Sequence, residues 1–385
     1  MKIAIVTETF LPSTDGVVTR LCASIDWLLD EGHNVLVIAP DLGVTHYKEA
    51  KVAGIPARPF LHYRTKKYAF PSTKVGRLLY DFNPDVVHAV NPALIGAAGV
   101  FYARRQQRPL VASFHIHTPK YADYYGLSFM KPFLWSYFRL IYNRSDLCLC
   151  TSKSVMEELI GKRFRNVRLW KHGVDTNEFS PDLYDEAMRN RLTGGNPNKK
   201  LFLYVGRLTA EKEVERLRKM LDDHPDVCLA LVGDGPLRKE LERLFAGSET
   251  VFTGFLHGED LAKAYASSDA FVFPSTTETL GLVVLEAMAS GLPVIVSNNG
   301  PTGELVRDGE TGVFFDPLET DGISKAVDRL KDEPMLRRLA VGARDFGKAH
   351  DWAVPSEQLF QFYRKVIRAA NRVGTHRSAP EREKS

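Results

Sequence analysis

Ten short apolar runs, three to six residues each and separated by amphipathic stretches, constrain this 385-residue chain more than any other feature. The first five are Lys2–Val6, Asn34–Ala39, Val86–Ala89, Leu110–Phe114 and Leu147–Thr151. Helical patterns such as Val17–Leu29 and Lys153–Leu159 lie between them. Strands that alternate with helices argue for a parallel sheet covered on both faces. At Arg191–Lys200 the chain turns polar and rich in Gly, Asn and Pro, the composition of a linker. The alternation then restarts with Leu201–Val205, Val227–Val232, Val251–Thr253, Ala270–Phe273 and Pro293–Val296.

The pattern predicts an α/β protein of two Rossmann-like, doubly wound domains in tandem, facing across a cleft, with ligands at the carboxyl ends of the strands. We expect a first domain over residues 1–190, a linker over 191–200 and a second domain over 201–352. A helix over 353–371 is expected to pack back on the first domain, and 372–385 to form a flexible tail. The length favours at least two cores.

At 44% hydrophobic and 25% charged residues, the composition is globular and excludes a disordered, collagenous or disulfide-scaffold chain. Cys22, Cys148, Cys150 and Cys228 lack metal-ligand spacing, as expected of a reduced, cytoplasmic protein. The start, Met1–Val6, runs straight into Thr7-Glu8-Thr9 and lacks the apolar core of a signal peptide. No stretch reaches the roughly 18 to 20 apolar residues of a spanning helix. Charge is uneven: residues 1–170 hold 22 Lys and Arg against 13 Asp and Glu, whereas the whole chain is only +4. A basic front half points to an anionic surface, nucleic acid or lipid, or simply to a solvated face.

The most informative stretch is Pro274–Gly291. An apolar strand ends, a polar loop follows, and a helix is expected to begin near Leu280, its N–H groups favouring a phosphate. Glu278 falls in the loop as either a helix cap or a ligand group. Glu286 falls inside the apolar run Leu282–Ala289, where an unpaired carboxylate is costly. Arg207 and Lys212, directly after another strand, are either surface cations or a diphosphate clamp, one a fork of donors and the other a point charge. Gly233-Asp234-Gly235-Pro236 is a tight turn after a third strand. In the front half, Thr14-Asp15-Gly16-Val17 makes a glycine turn but not a dinucleotide fingerprint. His115 and His117 follow a strand at i, i+2, without an evident third metal ligand, and the chain contains no Asp-x-Asp pair. Chemistry without a metal or other cofactor is therefore the expectation.

Together, Gly206-Arg207…Lys212, Gly233-Asp234-Gly235-Pro236 and Glu278-x7-Glu286 resemble the retaining glycosyltransferases of family 4, which have the GT-B fold. The likeness covers roughly residues 1–370. Within that family, Phe114–Tyr121, Arg168–Asp175, Met188–Leu192 and Glu278–Met288 are similar to the sulfoquinovosyltransferases. The resemblance implies transfer of sulfoquinovose from a UDP-sugar donor to diacylglycerol, with retention. Glucosyl, mannosyl or glucuronosyl transfer to diacylglycerol or a phosphoinositide is the alternative. It also implies site roles. Gly16 would lie beside the donor diphosphate and His115 near the transferred sugar. Arg207 and Lys212 would hold the pyrophosphate, and Glu278 the sugar hydroxyls. Leu280 and Gly281 would offer backbone donors, Gly233 would line the nucleotide site, and Glu286 would bind the ribose. His172 stands where such enzymes usually carry Lys or Arg, which leaves Lys171, Arg20 or Lys120 to face a sulfonate.

Residues 119–144 contain nine aromatics, four cations and one acid. Arg64, Lys66, Lys67, Lys74 and Arg77, interleaved with Tyr63, Tyr68 and Phe70, form a second basic stretch. Aromatics with cations but no spanning helix suggest a protein that docks on an anionic membrane, with about half of the aromatics packing the core. Nucleic acid is not an expected partner, since the paired Glu278/Glu286 and Arg207/Lys212 motifs speak for small-molecule chemistry.

Overall fold

The computed structural model of the chain describes residues 1–377, apart from Thr14, Leu61, His62 and Tyr125. The chain forms two compact units. The first comprises Met1–Ala122, Leu127–Lys171 and the segment from Ala353 onward; the second comprises Asp123–Gly126 and His172–Trp352.

In the first unit, strands β1 (Lys2–Thr7), β2 (Asn34–Pro40), β3 (His46–Tyr47), β4 (Ala50–Ile55), β5 (Ala57–Phe60), β6 (Tyr63–Ala69), β7 (Val86–Val90), β8 (Leu110–Phe114), β9 (Leu147–Cys150) and β10 (Val167–Leu169) follow in chain order. Eight of them build one sheet in the order β10-β9-β8-β7-β1-β2-β4-β3, and β5 pairs separately with β6. All pairings in the large sheet are parallel except β3 with β4. The strands form where the sequence is apolar without alternation, because both faces are covered. All five residues of β8 are buried, for example. The order reverses between β1 and β7, and the loops after those strands therefore diverge at the switch point.

The second unit holds β11 (Lys200–Val205), β12 (Val227–Val232), β13 (Thr250–Gly254), β14 (Ala270–Phe273), β15 (Val294–Ser297) and β16 (Gly312–Phe315). Their order is β13-β12-β11-β14-β15-β16, with every pair parallel. Here the switch point lies between β11 and β14. The loop that carries Arg207 and Lys212 leaves one of these strands, and the loop that carries Glu278 leaves the other.

The division between the units falls at Lys171/His172, not near residue 190. Residues 172–199 belong to the second core: Val174, Phe179, Met188 and Leu192 are buried in it. Arg189 fixes the stretch further, donating to Ser267 O (3.0 Å), Pro197 O (3.1 Å) and Asp269 Oδ2 (2.7 Å). Residues 191–200 are thus no free linker but the end of helix Glu186–Leu192, a turn, and the first residue of β11.

The final helix, Ala353–Arg377, belongs to the first unit. Tyr363 is buried, and Phe360 stacks on His33 with ring centroids 4.8 Å apart. Residues 372–377, expected in a loose tail, continue this helix, and 378–385 lie outside the described residues. Among the described residues, no helix is long and apolar enough to cross a membrane.

Candidate active site

The second unit gathers the motif residues at the β11/β14 switch point. After β11, the chain enters a short 3-10 turn, Ala210–Lys212, that ends on Glu213 in the left-handed region (φ 52°). Two hydroxyls of the β14 loop hold this turn in place: Ser275 Oγ and Thr277 Oγ1 each donate to Glu211 O at 3.0 Å. The two loops are tied together by the protein's own groups. The Lys212 ammonium reaches Glu278 Oε2 and sits 5.3 Å from the centre of the Phe273 ring. Both partners are largely buried, the side chains 10% and 17% exposed.

Burial alone would raise the pKa of the Glu278 carboxyl. The Lys212 charge and the N–H groups of Leu280 and Thr279 outweigh it and lower the pKa to about 2. Thr279 N and Leu280 N donate to Glu278 Oε1 at 3.1 and 3.3 Å. The expectation that Leu280 presents its N–H to a phosphate is therefore corrected, because Glu278 already takes that donor. The helix starts at Leu282, two residues later than expected, with Gly281 as its left-handed N-cap (φ 61°). A Cβ at Gly281 would lie 2.8 Å from Leu305 Cδ1, so both the dihedral and the space call for glycine.

Arg207 is 44% exposed and pairs at 3.1 Å with Glu211, whose side chain is 1% exposed. The pair aims the guanidinium and keeps a buried carboxylate compensated. Glu286, on helix Leu282–Ala289, accepts a 2.8 Å hydrogen bond from Tyr265 O–H. Burial pushes its carboxyl up to about 7; the Tyr265 bond opposes the rise and Glu178 adds to it. Gly233 (φ 137°) lies so close to β11 that a Cβ there would sit 1.9 Å from Gly206 O. Its geometry serves the packing of two backbones. Gly206 N–H donates to Val232 O (3.0 Å), and Leu208 N–H to Asp234 O (3.0 Å), lacing the two loops.

In the first unit, Asp15 caps helix Gly16–Asp30, accepting from Val17 N and Val18 N. Gly16 is thus the first helical residue. Nearby, Glu8 at the end of β1 accepts four N–H bonds from Ala93, Leu94, Ile95 and Gly96, and closes the N-terminus of helix Ile95–Arg105. His115 is buried, 1% exposed, with Nε2 2.8 Å from Ser113 Oγ. The same hydroxyl lies 2.8 Å from His88 Nε2, and His88 Nδ1 lies 2.8 Å from Tyr363 O–H. A serine has one proton to give, so it donates to one imidazole and accepts from the other. The tautomer of His115 is thereby tied to His88 and to the last helix. Burial, helped by the Arg20 charge, lowers His88 to a pKa of about 3 and keeps it neutral.

His117 turns elsewhere, to Glu158 at 2.6 Å, so the two histidines share no ligand position. Among the described residues, no group of three or more His, Cys, Asp or Glu side chains is placed to hold a metal ion. Arg20 does not reach a substrate surface. Fully buried, it donates to Trp170 O (3.1 Å) and Lys171 O and lies 3.6 Å over the Trp170 ring, where burial lowers its pKa to about 9. Of the candidates for facing a sulfonate, it is the one the structure removes.

Sequence reasoning missed Glu211, Tyr265 and the His88–Ser113–Tyr363 chain. Glu211 lies at i+4 from Arg207 and was within reach of a spacing argument. Tyr265, 21 residues before Glu286 on a different helix, gave no such signal.

Residues 14–178 match the family described as Glycosyltransferase Family 4, and residues 190–346 match Glycosyl transferases group 1. A sulfoquinovosyl transferase of Arabidopsis thaliana is 35% identical over 353 residues, 89% of this chain and 69% of that protein. A GDP-mannose-dependent alpha-mannosyltransferase of Mycolicibacterium smegmatis is 37% identical over 95% of this chain and 98% of its own length. An alpha-monoglucosyldiacylglycerol synthase of Streptococcus pneumoniae is 26% identical, covering 82% and 75% respectively. In fold, the chain is similar to sucrose-phosphate synthase from Thermosynechococcus elongatus, with a TM-score of 0.77, 22% identity and coverage of 96% and 99%.

Proposed function

The chain belongs to the family-4 glycosyltransferases and has their GT-B fold, and from that premise we propose that it moves sulfoquinovose from UDP-sulfoquinovose to diacylglycerol. The likeness to the Arabidopsis sulfoquinovosyl transferase carries the choice of sugar. The likeness to the pneumococcal synthase supports a diacylglycerol acceptor.

In this reading Arg207 and Lys212 hold the diphosphate. They oppose the negative charge that grows on the leaving nucleotide as the glycosidic bond breaks. Lys212 spends one of its three donors on Glu278, which leaves donors for phosphate oxygens while the carboxylate stays ionised for sugar hydroxyls. Glu286 accepts from the ribose, and Leu280, Gly281 and Gly233 shape the nucleotide end. His115 meets the transferred sugar and Gly16 the diphosphate, as the family resemblance implies. Attack from the face that the diphosphate leaves gives retention without an enzymatic nucleophile. Positioning and charge then supply most of the acceleration.

A second reading follows from the Mycolicibacterium relative: transfer of mannose from GDP-mannose. One experiment separates the two. The chain is given dispersed diacylglycerol with UDP-sulfoquinovose, UDP-glucose, UDP-glucuronic acid or GDP-mannose, with and without chelator. Chelator-insensitive product from the sulfonated donor alone is the expected result. Preference for GDP-mannose refutes the sulfolipid reading and leaves the family and fold intact.

A further inference from the structure

Residues 127–145 contain three cations, Lys131, Arg139 and Arg144, and no acid. The helix Lys131–Tyr142, which carries Lys131 and Arg139 and ends just before Arg144, sends Phe138, Ile141 and Tyr142 into the core. Of the aromatics singled out in this region, Tyr121, Tyr124, Trp135 and Tyr137 are half-buried, and Tyr125 lies outside the described residues. The side chains of Tyr63, Arg64 and Lys66, from the second basic stretch, lie outside them as well.

What remains on the outside is unusual for a water-facing segment. Phe129 is 78% exposed, Phe133 68% and Leu140 59%. Phe133 and Leu140, seven residues apart, share one stripe of the helix, and Phe129 stands in the 3-10 turn Ser128–Met130 that leads into it. At the far end of the stripe lies a depression of about 320 Å³ lined by Ser136, Arg139, Leu140, Asn143, Arg144 and Arg165. Arg144 is held at its rim by donating to Leu140 O at 2.8 Å. None of the lining residues is acidic, and the next acid along the chain, Asp146, is taken by Arg104 at 2.7 Å. Three arginines thus line one hollow with no acid among its lining residues, a setting that favours an anion.

We propose that this face docks on a bilayer containing anionic phospholipid, with one phosphodiester headgroup seated among Arg139, Arg144 and Arg165. Phe129, Phe133 and Leu140 enter the headgroup–acyl boundary beside it. Leu140 lines the hollow and also belongs to the stripe, so anion and hydrocarbon are wanted within one or two helical turns of each other. A lipid offers that pairing, whereas a nucleic acid or a soluble phosphate offers only the anion. The proposal deepens the reading of a lipid acceptor, but its geometry stands on the first unit alone.

The test is co-sedimentation of the full chain with vesicles of phosphatidylcholine, with and without phosphatidylglycerol. Binding only to the anionic vesicles is expected. Arg139→Gln/Arg144→Gln/Arg165→Gln should weaken it about 100-fold, at roughly 1 kcal/mol for each cation. Phe129→Ser/Phe133→Ser should weaken it at least about 10-fold. All five positions lie outside the nucleotide-sugar machinery, so donor binding, melting temperature and transfer to detergent-dispersed acceptor should be unchanged. Equal binding to neutral vesicles, or full binding by the triple arginine variant, overturns the proposal. So does displacement from vesicles by inorganic phosphate at an ionic strength where chloride has no effect, which would make the hollow a site for a soluble anion. A chain that binds vesicles but transfers no sugar refutes the proposed function and leaves the docking surface standing.

Discussion

Glu286 offers a direct measure of how dry the second unit's site is. Its carboxyl is displaced from 4.5 to about 7, chiefly because burial disfavours the charged form. Between those two pH values the folded chain keeps a proton that the unfolded chain releases, so stability falls as pH rises through the window. It is fully present below about 4.5 and flat above about 7. At about 1.4 kcal/mol for each pH unit, the total loss is roughly 3 kcal/mol. Glu286→Gln cannot ionise, yet its amide oxygen still accepts from Tyr265 O–H. The variant should therefore match the native chain near pH 5 and exceed it by about 2 to 3 kcal/mol at pH 8. Paired urea unfolding curves at pH 5, 6, 7 and 8 measure this difference directly. A difference that stays constant across the series would mean that Glu286 ionises as an ordinary solvated carboxyl, and the argument from burial would fail.

Other expectations follow from the same geometry. Lys212→Met strands the buried Glu278 carboxylate and should cost about 3 to 5 kcal/mol, while Lys212→Met/Glu278→Gln should cost clearly less than the sum of the two single changes. A double-mutant cycle by urea unfolding at pH 7 reads the coupling, and additive costs would show that the pair is not buried. Gly233→Ala places a methyl against Gly206 O and should lower the melting temperature by about 10 °C or abolish folding. An unchanged melting curve would refute the close approach. Arg207→Ala should lower kcat about 100-fold or more with a smaller change in donor KM, if the guanidinium acts on charge that develops only in the transition state. Steady-state kinetics with the preferred donor decide this, and a KM effect alone would make Arg207 a ground-state contact. Tyr363→Phe leaves His88 Nδ1 without its buried partner and should cost about 1 to 3 kcal/mol. Nitrogen-15 spectra should also show a changed tautomer balance at His115, and unmoved imidazole signals would break the proposed chain.

The fold was legible because parallel strands covered on both faces must be continuously apolar. Leu110–Phe114, Val227–Val232 and Ala270–Phe273 have the expected bounds. Strands that do not need to be so apolar escaped. Ala50–Ile55 contains Lys51 and Gly54, and Tyr63–Ala69 read as a basic patch because four of its seven residues are Arg, Thr or Lys. The domain boundary was misplaced for a related reason. Polar composition at residues 191–200 looked like a linker, but composition carries no information on which core Met188 and Leu192 join. Likewise, the polarity of residues 372–377 hid the continuation of a long helix.

Candidate site residues were legible where the chain packs charged groups into one loop: Arg207 and Lys212 after β11, Glu278 and Glu286 around the start of one helix. Their partners were not. The properties that matter most, a carboxyl lowered to about 2 at Glu278 and one raised to about 7 at Glu286, come from contacts across the sheet. Two carboxyls eight residues apart are driven in opposite directions because one meets an ammonium and two N–H groups, and the other only a phenol. A linear pattern names the two acids but cannot divide the work between them, because the division depends on Lys212 and Tyr265, 66 and 21 residues away. The consequence is chemical: near neutral pH, Glu278 is a fixed charge and Glu286 is poised to titrate. Of the two, only the charge on Glu286 should vary with pH in that range.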